Sequence, residues 1–131
     1  MAAIEPAWLL DTSILVDLLR GHTGARRWID SLPLTARSIS VVSAAELLAG
    51  CRNQTEQRAL ERELVLYEMF WIDQAISRAA LDLFWRFVLS HAVGFLDCLI
   101  AATASTHDLR IATHNLKHFA PLPGIHATVP Y

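Results

Sequence analysis

The chain has 131 residues, 53% of them hydrophobic and 18% charged, with a formal net charge of −2. That length holds about one independent core, and that apolar content excludes a disordered chain. A near-neutral balance argues against a protein that coats nucleic acid nonspecifically, while leaving room for an acidic site in which bound cations invert the local field.

The opening MAAIEPAWLLDTS has no basic segment and only a four-residue apolar run, so no secretory signal is expected. Ala7–Leu10 is that run. It ends at Asp11 and predicts a buried strand. Ser13 precedes Ile14, Leu15, Leu18 and Leu19 at helical spacing, which predicts a helix capped by Ser13 and stopped at Gly21. Arg37–Val42 is β-branched and predicts a second strand. Ser43-Ala44-Ala45-Glu46 follows in the form of a capping box, with Gly50 as the stop. From Asn53 to Phe70 the chain is charged, with Leu60, Leu64 and Tyr67 on one helical face. Asp73 predicts the cap of the next helix. There Ile76, Ala79, Ala80, Leu83, Phe84 and Phe87 give the clearest amphipathic period.

Gly94-Phe95-Leu96-Asp97 breaks that period and opens a helix over Cys98 to about His107. This one is apolar nearly all round and therefore buried. Leu109–Thr113 predicts a strand, Asn115 follows it, Leu116–Phe119 a helical turn, and Ala127–Val129 a last edge strand. Strands that alternate with helices and lack clean period-2 patterning predict a three-layer α/β/α domain over residues 1–131, with a short, mostly parallel central sheet. No apolar run approaches the roughly 18 residues of a membrane span. Cys51 and Cys98 fit no zinc spacing, and a reduced, cytoplasmic pair is expected.

In a parallel sheet, ligands bind beyond the carboxyl ends of the strands. Asp11, Glu46 and Asn115 each follow a predicted strand, and Asp97 opens a buried helix beside a glycine. Each also has a purely structural reading. Asp11 serves as a turn acid, Glu46 as a capping-box acid, Asp97 as a charge favoured by the helix dipole, and Asn115 as a turn residue. Gathered at one edge they need more explanation, because two carboxylates ~4 Å apart repel by about 4 kcal/mol at an effective dielectric of 20. A divalent cation relieves such repulsion, and all-oxygen ligands suit Mg²⁺ or Mn²⁺ rather than zinc. The chemistry that follows is phosphodiester hydrolysis. His114 and His118, four apart, leave a metal pair open. Thr12 and Ser13 lie beside Asp11, but no base for a nucleophilic serine is evident.

LLDTSILVDLL, VVSAAELLAG, GFLDCLIAATA and IATHNLKHFAPLPGI, in that order, resemble PIN-domain ribonucleases, and most of all the VapC-type toxins of bacterial toxin–antitoxin modules. The resemblance runs from about Leu9 to Val129. It implies that Asp11, Glu46 and Asp97 are the catalytic, metal-binding acids and that Asn115 stands at the fourth catalytic position. Ser13, Thr12 and His118 would support them. Where the family often has a further acid, this chain has His118, which weakens any second-metal site. The resemblance further implies Mg²⁺ or Mn²⁺ dependence, cleavage of an RNA substrate, homodimerisation, and a cognate antitoxin that blocks the site. Trp28 and Trp71 are candidates for such interfaces.

Two other readings stay open at this point. One is a non-catalytic PIN-like binding module. The other is an aspartate-based phosphatase, which needs a second acid where Ser13 stands and a downstream lysine, for which Lys117 is the sole candidate. Of the 11 basic residues all but Lys117 are arginine. Arg20, Arg26, Arg27, Arg110 and Lys117 fall near the predicted acidic edge.

Overall fold

Strands and helices alternate along a computed structural model whose described residues are 7–131, so the reading of the first six residues as signal-free lies outside them. The order is β1 (Trp8–Leu10), α1 (Thr12–Leu19), α2 (Thr23–Asp30), β2 (Arg37–Ser40), α3 (Val41–Ala49), α4 (Gln54–Leu64), β3 (Glu68–Phe70), α5 (Gln74–His91), α6 (Phe95–His107), β4 (Arg110–Ala112) and β5 (Ala127–Thr128). The five strands form one sheet in the order β3-β2-β1-β4-β5, and every pairing is parallel.

The short strands split their side chains between two cores. Leu9 and Ile111 point to the face covered by α5 and α6, with Ile76, Ala80, Leu83 and Ile100. Leu10, Ile39 and Ala112 point to the other face, with Ile14, Leu15 and Leu18 of α1, Ala25 and Ile29 of α2, and Leu60 of α4. This is the expected three-layer α/β/α arrangement, and burial on both faces explains why the strands lack clean alternation.

Four local expectations change. The second strand stops at Ser40 rather than Val42. The extended Ser40 (φ −86°, ψ 148°) caps α3, its Oγ accepting from the Val42 amide at 3.0 Å. Ser43 therefore lies inside the helix, and the capping box does not form. β-branched Val41 and Val42 suit a strand intrinsically, but packing overrides that preference. The cap of α1 is Asp11, not Ser13, which sits within the first turn. The segment read as one helix to Phe70 ends at Leu64. Tyr67 still buries on the same core, but through a turn, and Glu68–Phe70 pair with β2 as an unexpected strand. Helix α2 was also unanticipated; its start is fixed by His22, whose Nδ1 accepts from the Ala25 amide at 3.0 Å.

Other expectations hold, although α6 begins at Phe95, three residues before its expected start at Cys98. Gly21 takes the left-handed conformation just past α1 (φ 78°), Asp73 caps α5 through the Ile76 amide at 2.8 Å, and residues 116–118 form a single 3₁₀ turn. Both cysteines are free thiols: Cys98 is buried and Cys51 half-buried. No helix among the described residues is long and apolar enough to cross a membrane.

Candidate active site

Strand order reverses at β1. The chain moves outward from β1 to β2 and β3, then returns to the other side for β4 and β5. A crevice forms where neighbouring strands send their connections to opposite sides, and in parallel sheets that crevice is the default ligand site. Here it lies beyond the ends of β1 and β4.

Asp11 leaves β1 at that point. Its amide donates to the Ala112 carbonyl of β4 at 2.9 Å, so the register of the two strands fixes its position. Its carboxylate is nearly buried, with 6% of the residue exposed. Thr113, the first residue after β4, donates its hydroxyl to Asp11 Oδ2 at 2.7 Å. Ser13 Oγ donates to the same oxygen at 3.4 Å and accepts from the His114 amide at 3.1 Å. Thr113 Oγ1 also accepts from the Asn115 amide at 2.9 Å. A charge-assisted network therefore ties Asp11 to the loop that carries Asn115.

Glu46 projects from the middle of α3 toward the same place, where Thr12 Oγ1 donates to its Oε1 at 3.2 Å. With the capping box gone, Glu46 has no helix-starting role. Asp97 lies in the first turn of α6, and His118 Nδ1 stands 3.4 Å from its Oδ2. Burial pushes the Glu46 carboxyl above its usual range. The Thr12 hydrogen bond opposes that shift, and the charges of Asp11 and Asp97 add to it. Burial likewise raises Asp97, opposed by His118 and reinforced by Asp11. The three carboxylates thus act on one another electrostatically although they come from three elements.

Sequence reasoning missed Thr113. A threonine ending a strand carries no signal of its own; only the β1–β4 pairing brings it to Asp11. Asn115 joins the site through its backbone, and its side-chain amide makes no hydrogen bond to the three acids. The open histidine pair does not form. His114 Nε2 is 2.8 Å from Asp17 Oδ2 and 3.1 Å from Tyr131 Oη, whereas His118 faces Asp97. That orientation also leaves Ser13 without a base.

Hard carboxylate oxygens held in mutual repulsion match the donor preference of Mg²⁺ or Mn²⁺. Among the described residues, however, no three histidine, cysteine, aspartate or glutamate side chains converge closely enough to hold an ion between them. The fit is therefore to a cation that takes one or two carboxylates and keeps several waters, as Mg²⁺ commonly does.

Comparison with known proteins agrees with this architecture. The PIN domain family matches residues 8–121. Ribonuclease VapC10 of Mycobacterium tuberculosis is 41% identical over 116 residues, covering 85% of this chain and 84% of that protein. Ribonuclease VapC19 of the same organism is 34% identical over 120 residues, covering 89% and 95%. Among solved structures, a toxin–antitoxin complex from Klebsiella pneumoniae superposes with a TM-score of 0.78 at 28% identity, covering 95% of this chain and 98% of that one. VapBC from Salmonella typhimurium, solved bound to DNA, shares the fold with a TM-score of 0.82 at 22% identity, covering 95% and 98%. With the match running from β1 past the Asn115 loop, and with relatives of this identity aligned over most of their length, the chain belongs to the PIN-domain family and, within it, to the VapC group.

Proposed function

We propose that the protein is the toxin of a toxin–antitoxin module, an endoribonuclease that hydrolyses phosphodiester bonds in RNA at Asp11, Glu46 and Asp97 with Mg²⁺, for which Mn²⁺ can substitute. The observation that carries this reading is the placement of three carboxylates from three elements at the switch point of a parallel sheet, near enough to act on one another electrostatically, two of them with raised proton affinity. The 41% identity to a protein named as a ribonuclease supports the substrate. When bound, the cation supplies charge neutralisation at the phosphate and an activated water.

The chain's own residues divide the rest. Thr113 and Ser13 hold Asp11 in one orientation. Thr12 orients Glu46. Asn115 adds a neutral group, so the site carries less negative charge than four carboxylates would. His118 brings a ring nitrogen, not another acid, to Asp97. One ion is therefore expected rather than two.

A cognate antitoxin and a second copy of the chain are the proposed partners. An exposed apolar groove between α3 and α4, lined by Val41, Leu48, Val65 and Trp71, suits an antitoxin segment, and its toxin–antitoxin neighbours supply the precedent. Trp71 faces outward there, while Trp28 packs edge-on against Trp8 with ring centroids 5.3 Å apart. A cytoplasmic setting accords with two free thiols.

The test is cleavage of RNA by purified protein with Mg²⁺, Mn²⁺ or EDTA. Divalent-dependent cleavage is expected, together with its loss in Asp11→Ala and Asp97→Ala by at least 100-fold, on the order of removing one strongly stabilising group. Intact cleavage in either variant would overturn the assignment.

A further inference from the structure

The five cations near the acidic edge in sequence separate once placed in the fold. Arg26 is paired with Glu63 across α2 and α4. Arg110 begins β4, at the opposite end of the sheet from Asp11, and its guanidinium lies over the Trp8 ring, 5.8 Å from the centroid. Arg27 lines a hollow with Asp30 that includes none of the site's side chains. Arg20 and Lys117 differ from these three, because each borders a cleft that contains a site carboxylate.

Arg20, at the end of α1, borders a cleft of about 570 Å³ whose walls include Glu46 and Thr12. Lys117 borders a cleft of about 380 Å³ whose walls include Asp97, His118 and His91. The two clefts share no lining residue. Glu46 lines the one and Asp97 the other, while Asp11, which lines neither, sits between β1 and α1 beside Thr12 of the larger cleft. Among the described residues, neither Arg20 nor Lys117 has a carboxylate within ion-pair distance. Arg52, which also borders the larger cleft, is already held by Glu56 through a guanidinium contact of 2.9 Å, so Arg20 is left as that cleft's unpaired cation.

We propose that the two clefts form one track for single-stranded RNA, with the scissile bond over the carboxylates, one flanking phosphate on Arg20 and the other on Lys117. This rests on the ribonuclease reading and extends it to the path of the substrate. The physical need is direct. Carboxylates repel a phosphate backbone, so a strand crossing them requires a cation on either side. Each cleft offers one, and each has a volume in the range of ordinary ligand sites. The larger cleft adds the aliphatic wall of Val16, Leu19 and Leu47, which accepts the face of an unstacked base of any identity. The smaller is more polar and suits ribose and phosphate. A recessed path with a base-sized apolar wall fits an unpaired strand, whose bases are free to splay, and not a stacked duplex.

The experiment measures binding of a fluorescein-labelled single-stranded RNA in Mg²⁺, across roughly 50 to 300 mM salt, with every protein carrying Asp97→Ala so that the RNA is not cleaved. Each phosphate contact on a single strand contributes about 0.7 to the slope of log affinity against log salt. Arg20→Ala and Lys117→Ala are each expected to flatten the slope by about 0.7, and the double variant by about 1.4. Arg20→Lys and Lys117→Arg, which keep the charge, are expected to restore it, and Arg110→Ala to leave it unchanged. An unchanged slope in Arg20→Ala or Lys117→Ala, or a loss equally large in Arg110→Ala, would overturn the track while leaving cleavage by the wild type intact. A wild-type chain that neither binds nor cleaves RNA would overturn the ribonuclease reading and the track with it.

Discussion

Ser43 Oγ is buried and has no hydrogen-bond partner among the described residues. A buried hydroxyl left unpaired costs on the order of 1–3 kcal/mol, and alanine is also the better helix former. Ser43→Ala is therefore expected to stabilise the protein by about 1 kcal/mol or more, read as a rise in the midpoint of thermal unfolding. Glu46, one turn away, is out of balance electrostatically. Its carboxyl binds protons more tightly in the folded chain than in the unfolded one, so its charge disfavours folding at neutral pH when no cation is present. Glu46→Gln should raise the melting temperature in EDTA at pH 7. That gain should shrink as pH falls through the folded carboxyl's raised range, where the wild-type group is itself neutral. Addition of Mg²⁺ should stabilise the wild type more than the variant. Equal melting of the two proteins at pH 7 in EDTA would count against repulsion at the site. At this scale Asp11 and Asp97 were legible because each stands at a break in a hydrophobic pattern. Thr113 was not, because its partner lies 102 positions earlier.

Between elements, the connection of α2 to α4 runs through one nearly buried carboxylate. Glu63 accepts from Arg26 and, at 2.6 Å, from the Tyr67 hydroxyl. Burial would raise its pKa, but the hydrogen bonds from Arg26 and Tyr67 and the Arg26 charge outweigh that and hold it below the usual range. A lowered pKa means the contribution is fully present above the ordinary glutamate range and is lost as pH falls through the lower, folded value. Arg26→Ala leaves Glu63 charged and poorly solvated. A cost of about 1–3 kcal/mol is expected, below that of breaking a fully buried pair, because 37% of the Arg26 side chain is exposed. Denaturant unfolding at pH 7 and pH 3 checks both parts, since the difference between variant and wild type should narrow in acid. None of this was readable beforehand. Glu63 looked like one charge among many on a solvated helix, and the start of α2 depends on a histidine cap that ordinary capping preferences do not flag.

Across the whole molecule, α5 has a second face that sequence reading passed over. Its inward residues announce themselves at i, i+3, i+4 and i+7. Leu81, Trp85 and Leu89, also four apart, line the outside, with Trp85 82% and Leu89 99% exposed. An apolar stripe of that kind marks a contact surface. It is the natural place for the proposed homodimer, and Leu89→Glu is expected to shift sedimentation from dimer to monomer with little change in melting temperature. A dimer that persists in the variant would place the contact elsewhere. The alternation of strands and helices gave the layered class from sequence alone. Strand order did not follow from it, because pairing of β1 with β4 is a non-local choice, and β3 was hidden by a tyrosine whose position suited a helix and a turn equally. Cys51 carries a different kind of consequence. It borders the Glu46 cleft, while the chain's other thiol, Cys98, is fully buried. A maleimide dye would thus attach at one position in the native protein, at the mouth of that cleft and without any mutation. Its rate of attachment then becomes a footprint of whatever fills the cleft.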